Sequence, residues 1–235
     1  MNRQEAPSFK ARRFTVLVIP DTHLKPWIFE RADELMKKHN IKQAVQLGDN
    51  LDDFYATPED YKNHNAMMVW FNHIHPETIW LYGNHEVSYI LNRPVTGNVE
   101  DGKKWALAYQ TIFQPKIAWK IDNVIFSHAG ITDEFIYNNP ELKKFATDPD
   151  KLIERINALS LWEVWDENGP LWSRHQLDGS LLYEFRQVCG HTPLETVRDV
   201  DDCISVDVFS TEWGKKYGEE KFIIIDTKTG EWEYA

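Results

Sequence analysis

Cysteine is nearly absent from this chain. Cys189 and Cys203 are the only two among 235 residues, too few for a disulfide framework, so a reducing cytoplasm is the expected setting. Long apolar runs are missing as well. With no stretch of about eighteen apolar residues, no membrane span is expected. The opening segment MNRQEAPSFKARRF lacks the apolar core of a secretory signal and is read as a short flexible arm over residues 1–12. A basic surplus is missing too: 26 Lys and Arg stand against 37 Asp and Glu, a formal net charge of −11. That balance excludes non-specific binding to nucleic acid through a cationic surface. It does not exclude a phosphate-bearing substrate, because carboxylates clustered around cations are locally neutralised. Repeats and low-complexity linkers are absent, and the length suits one domain over residues 1–235.

What is present is apolar material in short packets. Phe14–Pro20 is continuously apolar and β-branched, which predicts a buried strand. Trp27–His39 carries Ile28, Ala32, Leu35 and Met36 at helical spacing. Gln43–Leu47 reads as a second strand. Pro58–His75 reads as a helix with Thr57 as N-cap, Pro58 at its first position, and an apolar stripe of Met67, Met68, Phe71 and Ile74. Thr78–Tyr82 is a third strand, and Asp101–Phe113 another helix. Ala118–Ile121 and Val124–Phe126 flank Asp122-Asn123, a two-residue hairpin signal. Leu152–Trp165 reads as helical. Gln187–Cys189, Cys203–Phe209, Lys221–Asp226 and Trp232–Tyr234 read as strands. Helices alternating with strands early and hairpins late predict mixed sheets with helices outside. The 10 tryptophans are read as core and rim.

The functional signal lies at the ends of the strands. Asp21 follows TVLVIP, Asp49 follows QAVQLG, Asn84 follows TIWLYG, His128 follows NVIFS, and His191 follows RQVCG. A single strand-ending Asp is ordinarily a turn former, and a single His ordinarily structural. Five residues of metal-ligand chemistry, each the first after a strand, outweigh that reading. Ligands of open α/β sheets bind beyond the carboxyl ends of strands, so these turns are expected to meet at one rim. Asp21-Thr22-His23 puts two ligand side chains on one side of an extended segment. Gly48 removes a side chain just before Asp49, whose two carboxylate oxygens can bridge cations about 3.5–4 Å apart. Mixed oxygen and nitrogen donors suit Mn, Fe or Zn better than Ca or Mg.

At these residues the sequence resembles the calcineurin-like metallophosphoesterase superfamily. The motifs stand in its order: Asp21-Thr22-His23, Gly48-Asp49-Asn50-Leu51-Asp52, Gly83-Asn84-His85-Glu86, Ser127-His128-Ala129-Gly130 and Gly190-His191-Thr192-Pro193. GNHE, SHAG, LWSR at Leu171–Arg174 and GHTP are most similar to the phosphoprotein phosphatase branch, in particular its bacterial and phage members. The resemblance implies an α/β fold, a four-layer α-β-β-α sandwich with two mixed β-sheets. It implies two divalent metal ions, Mn first, with Fe, Zn or Ni as alternatives. Asp21, His23 and Asp49 would hold one, and Asp49, Asn84, His128 and His191 the other. His85, oriented by Asp52, would protonate the leaving group, and Arg174 would grip the phosphate. The metals would activate a shared water and neutralise phosphate oxygens. The implied activity is hydrolysis of a phosphate ester, whether phosphoprotein, nucleotide or small molecule, with monoesters first. The alternative is a phosphodiesterase or a dinucleoside polyphosphate or cyclic nucleotide hydrolase. A non-catalytic scaffold is disfavoured, because every ligand position and His85 are present.

The sequence departs from the pattern of the phosphatase branch in two places. Asp53 stands where the phosphatase branch has the arginine of G-D-x-x-D-R-G, and an anion there would repel a dianionic monoester unless it pairs with a cation. Leu24 stands where that branch has glycine. Pro193 stands where other branches of the superfamily carry the second histidine of G-H-x-H, which implies fewer protein ligands and more water on the first metal. Among the remaining polar residues, His64, His73 and His75 are read as solvated or structural, and His175 as a surface neighbour of Arg174. Glu86 reads as a helix start or a support behind the site. Asp207 reads as a group orienting a ligand histidine.

Overall fold

The computed structural model describes residues 14–174, 185–212 and 215–235; the arm expected over residues 1–12 lies outside them. Two five-stranded mixed sheets organise the chain. In the first, β1 (Thr15–Ile19), β2 (Gln43–Gln46) and β3 (Ile79–Trp80) run parallel. Beyond β1, β11 (Ile223–Asp226) and β12 (Trp232–Tyr234) continue the sheet antiparallel, in the order β12-β11-β1-β2-β3. The second sheet repeats the plan. Its parallel centre is β5 (Val124–Ser127), β6 (Arg186–Cys189) and β8 (Cys203–Ser205), with β4 (Ala118–Ile121) and β7 (Arg198–Val200) antiparallel at the edges. A small ribbon of β9 (Thr211–Glu212) and β10 (Lys215–Lys216) stands apart.

Strands β5, β8 and β11 are buried along their whole length, and β1 nearly so, because both faces are covered. Val16 and Val18 of β1 join Val45, Leu47, Val124, Phe126, Val188 and Ile204 in one cluster between the sheets. Leu17 and Ile19, pointing the other way, pack with Ile28, Phe29, Ala32 and Met36 of α1 (Trp27–His39). This alternation is the two-residue period of a strand placed between layers. The α-β-β-α layering is completed by α2 (Pro58–Ile74), α3 (Asn84–Leu91), α4 (Gly102–Phe113), α5 (Asp133–Asn138), α6 (Pro140–Lys143), α7 (Pro149–Ala158) and α8 (Leu161–Val164). Among the described residues, no helix is long and apolar enough to cross a membrane.

Some boundaries differ from the sequence reading, for local reasons. The helix expected over Leu152–Trp165 is two helices, because Ser160 and Glu163 form a capping box that starts α8. The strand expected over Cys203–Phe209 pairs only through Ser205. In α2 the buried face is Tyr61, His64, Met68 and Phe71, while Ile74 is exposed. His64 therefore belongs to the core, and His73 to the surface.

Candidate metal centre

Each functional residue sits just past a parallel strand. Asp21, Asp49 and Asn84 follow β1, β2 and β3; His128, His191 and Asp207 follow β5, β6 and β8. The two sheets thus deliver their carboxyl ends to one rim. The chain there is tightly folded. A Cβ at Gly83 would strike the Asp49 carboxylate, one at Gly190 would strike the Asp21 carboxylate, and one at Gly48 would strike the Gly83 backbone. The three motif glycines are spaces through which neighbouring loops interlock.

Asp49 lies at the centre. Its Oδ2 is 3.3 Å from His128 Nε2, 3.8 Å from His23 Nε2 and 4.0 Å from His85 Nε2. Around this carboxylate two groups of ligand-type atoms gather: Asp49, His128 and His191 on one side, and His23, Asp49 and His85 on the other. Asn84 Oδ1 lies 2.9 Å from His128 Nε2, and His191 Nδ1 lies 3.1 Å from the same atom. Asp21 stands behind them, its Oδ2 accepting the His191 N–H at 3.0 Å and lying 4.0 Å from His128 Nδ1. The six predicted ligands are brought to one place; the second trio of ligand-type atoms contains His85 where Asp21 was expected.

Backbone carbonyls fix two of the imidazoles. His128 Nδ1 is 2.9 Å from Leu47 O, and His23 Nδ1 is 2.8 Å from Asp52 O. A carbonyl only accepts, so each Nδ1 carries a proton and each Nε2 is turned toward Asp49. His128 Nε2, Asn84 Oδ1 and Asp49 Oδ2 are thereby gathered at one point. Positive charge among them, from a bound cation or a protonated imidazole, would hold such a cluster together.

The charges tell the same story. Burial, then Asp207 and Asp49, push the Asp21 carboxyl well above its ordinary range. Burial would also raise Asp49, but the imidazoles of His128 and His85 hold it well below. Burial and His85 press His23 down to about 4. His85 resists its own burial, because Asp49 and Asp52 carry it up to about 9. Asp52 Oδ2 is 2.9 Å from His85 Nδ1 and also accepts from Asn98 Nδ2 at 2.6 Å, while its Oδ1 accepts from the hydroxyls of Tyr61 and Tyr89. Asp52 is held from four sides.

A calcineurin-like phosphoesterase model matches residues 14–196. The chain belongs to that family. The phosphoesterase aligns with the solved structure of a point mutant of a cold-active protein tyrosine phosphatase at 20% identity and TM-score 0.57, over 94% of this chain and 80% of the other. It aligns equally with the cold-active protein-tyrosine phosphatase of a psychrophilic Shewanella species, at 20% identity, TM-score 0.53, and the same 94% and 80% coverage. At that identity the likeness is one of fold. No curated protein matches the chain.

The family is metal-dependent, and the residues of this phosphoesterase fit the ions it requires. Asp21 Oδ1 and His191 Nε2 are buried polar atoms with no hydrogen-bond partner. Three buried carboxylates, Asp21, Asp49 and Asp207, act on one another through their charge. Cations would relieve both conditions.

Residues outside the ligand set support the site in ways the sequence showed only in part. Glu86 is fully buried and accepts the backbone N–H groups of Asp49, Asn50, Leu51 and Gly83 at 2.7–3.0 Å. It is at once the start of α3 and the clamp on the Asp49 loop. Asp207, buried and raised to about 6 chiefly by desolvation, accepts from Ser210 Oγ at 2.9 Å, so its described partner is a serine and not a ligand histidine. Arg174 is exposed, donates to Thr192 Oγ1 at 3.1 Å, and lines the cleft with Trp172 and His191. His175 lies outside the described residues. Leu24 has φ 57° and buries its side chain in a cluster with Leu51, Tyr61 and Tyr89.

Proposed function

We propose that this phosphoesterase hydrolyses phosphate monoesters at a dinuclear centre, with Mn as the first candidate metal. The reading rests on one observation: the shared Asp49 carboxylate has ligand-type nitrogens on both sides, and His85 stands beside it, paired with Asp52. Asp21, His23 and Asp49 would hold one ion, and Asp49, Asn84, His128 and His191 the other. Bound there, two divalent ions supply Lewis acidity that activates a water and offsets phosphate charge.

The chain's own residues do the rest. His85 Nδ1 faces a carboxylate oxygen, so it keeps its proton, and protonated Nε2 is free to give one to the departing ester oxygen. Asp52 is positioned by Tyr61, Tyr89 and Asn98 and cannot swing away. Arg174, at the cleft wall, offers a planar fork to two phosphate oxygens. The cavity, about 460 Å³, admits a phosphate with a small leaving group.

The test is turnover after chelation and re-addition of Mn, Fe, Zn, Ni or Mg, with p-nitrophenyl phosphate compared against its bis-ester. Activity lost on chelation, restored by Mn and higher on the monoester supports the reading. A strong preference for the bis-ester moves the enzyme to the diesterase class.

A further inference from the structure

Asp53 occupies the position at which the phosphatase branch carries an arginine, and a lone carboxylate there would oppose a phosphate dianion. The structure sets a cation against it. Lys25 Nζ lies 3.7 Å from Asp53 Oδ2, beyond hydrogen-bond reach. The ammonium nitrogen is buried and has no hydrogen-bond partner. Lys25 and Asp53 both line the cleft, together with His23, Asp52 and Asp207.

A lysine kept only as a counter-ion would be expected to donate to the carboxylates it neutralises. Here Asp207 and Asp21 reach Lys25 through charge alone, and Asp21 Oδ1 is itself unpartnered. The ammonium makes no well-formed hydrogen bond at the edge of the site, an arrangement costly in a buried cation unless an acceptor arrives. Lys25 follows the tight turn at His23 and Leu24, where its N–H donates to Thr22 O at 2.9 Å, so its backbone is fixed beside the metal ligands. Asp53 is near enough to hold the ammonium chiefly by charge, its oxygen standing too far off for a well-formed hydrogen bond.

We propose that Lys25 is a second phosphate-binding cation of this cleft, in addition to Arg174, and that Asp53 steadies the ammonium until a phosphate oxygen takes it. The inference rests on the monoesterase reading and supplies the positive charge that the Asp53 substitution removes. It also sets specificity, because a point-charge ammonium suits a dianionic phosphate more than a diester monoanion.

The experiment measures the Kd of inorganic phosphate by calorimetry on Mn-loaded protein, alongside kcat and KM for p-nitrophenyl phosphate. Lys25→Met is expected to weaken phosphate binding by about tenfold, the size of one charge-assisted hydrogen bond, with KM rising more than kcat falls. Lys25→Arg is expected to restore most of that loss. Asp53→Asn is expected to tighten phosphate several-fold, by freeing the ammonium and removing a repelling charge. Phosphate affinity within twofold of the parent in folded Lys25→Met overturns the proposal. Were that variant not to fold, unchanged or weaker binding in Asp53→Asn overturns it instead. Because phosphate binding is read directly, Lys25 can fail while monoester hydrolysis stands; a parent enzyme inactive on the monoester would sink the broader reading whatever Lys25 does.

Discussion

The Asp52 carboxylate reaches His85 Nδ1 at 2.9 Å and turns its other oxygen to the Tyr61 and Tyr89 hydroxyls. The pair spans the cleft from the Asp49 loop to the first turn of α3. Asp52 itself has φ 65°, a left-handed conformation that points its side chain back toward the histidine.

His85→Asn should leave metal content and fold unchanged, because His85 is not among the ligands assigned here. Turnover of an alkyl phosphate, a poor leaving group, should fall by about 10²–10⁴-fold, the usual worth of general acid catalysis. p-Nitrophenyl phosphate, whose leaving group needs little proton assistance, should suffer much less. Equal losses on both substrates would remove His85 from the acid role.

Asp52→Asn tests the partner. Asp49 and Asp52 together raise His85 to about 9 against the effect of burial. Taking away the Asp52 charge lowers the His85 pKa, so the alkaline limb of kcat should move to lower pH. The acid limb should stay in place. An alkaline limb that does not move would mean that a different group limits activity at high pH.

Leu24 has φ 57° with a buried side chain. Left-handed backbone costs a non-glycine residue about 1–2 kcal/mol, while Leu→Ala in a core costs about 2–5 kcal/mol. Leu24→Gly and Leu24→Ala lose similar packing, but only glycine relieves the backbone. Denaturant melts should therefore find Leu24→Gly more stable than Leu24→Ala by about 1 kcal/mol, reversing the usual order of the two residues. The ordinary order would show that the turn is not strained.

His64 makes the pH dependence explicit. Its Nε2 lies 3.1 Å from Thr22 Oγ1, whose proton goes to Asn50 Oδ1, so Nε2 donates and Nδ1 is bare. Burial presses its pKa from 6.5 to about 3. Between those values the unfolded chain binds a proton that the folded chain refuses, so stability falls as pH drops from 6.5 toward 3. The slope from this group reaches about 1.4 kcal/mol per pH unit. His64→Gln keeps a donor for Thr22 and removes the titration, so its urea-melt stability should fall less steeply than the parent's over pH 6.5 to 4.5. Parallel curves would contradict a neutral His64.

The strand ends were legible because both signals there are short-range. Continuous apolar packets mark strands covered on two faces, and the first polar side chain after each packet marks the rim. Thr57-Pro58 announced α2 for the same local reason. What escaped was set by partners distant in sequence. His64 looked like one polar residue on an amphipathic helix; only Thr22 and Phe29 packed against it show that it is core. Glu86 read as a helix start or a support behind the site, and which loop N–H groups it reaches depends on β2 and β3 being neighbours. The Ser160 and Glu163 box that divides α7 from α8 was present in the letters but masked by an uninterrupted helical stripe. Asp53 looked like a lost charge until Lys25 stood beside it.

Apolar side chains, Phe126 among them with Val16, Val18, Val45, Val188 and Ile204, form the seam between the two sheets, and such side chains make no directional bonds. Yet Asp49 hangs from one layer and His128 from the other, 3.3 Å apart. A slip of about 1 Å between layers is enough to cost roughly a hundredfold in rate when reacting groups must align. Trimming a methyl group deep in that seam would therefore register in turnover well before it registers in folding, although it touches no polar atom.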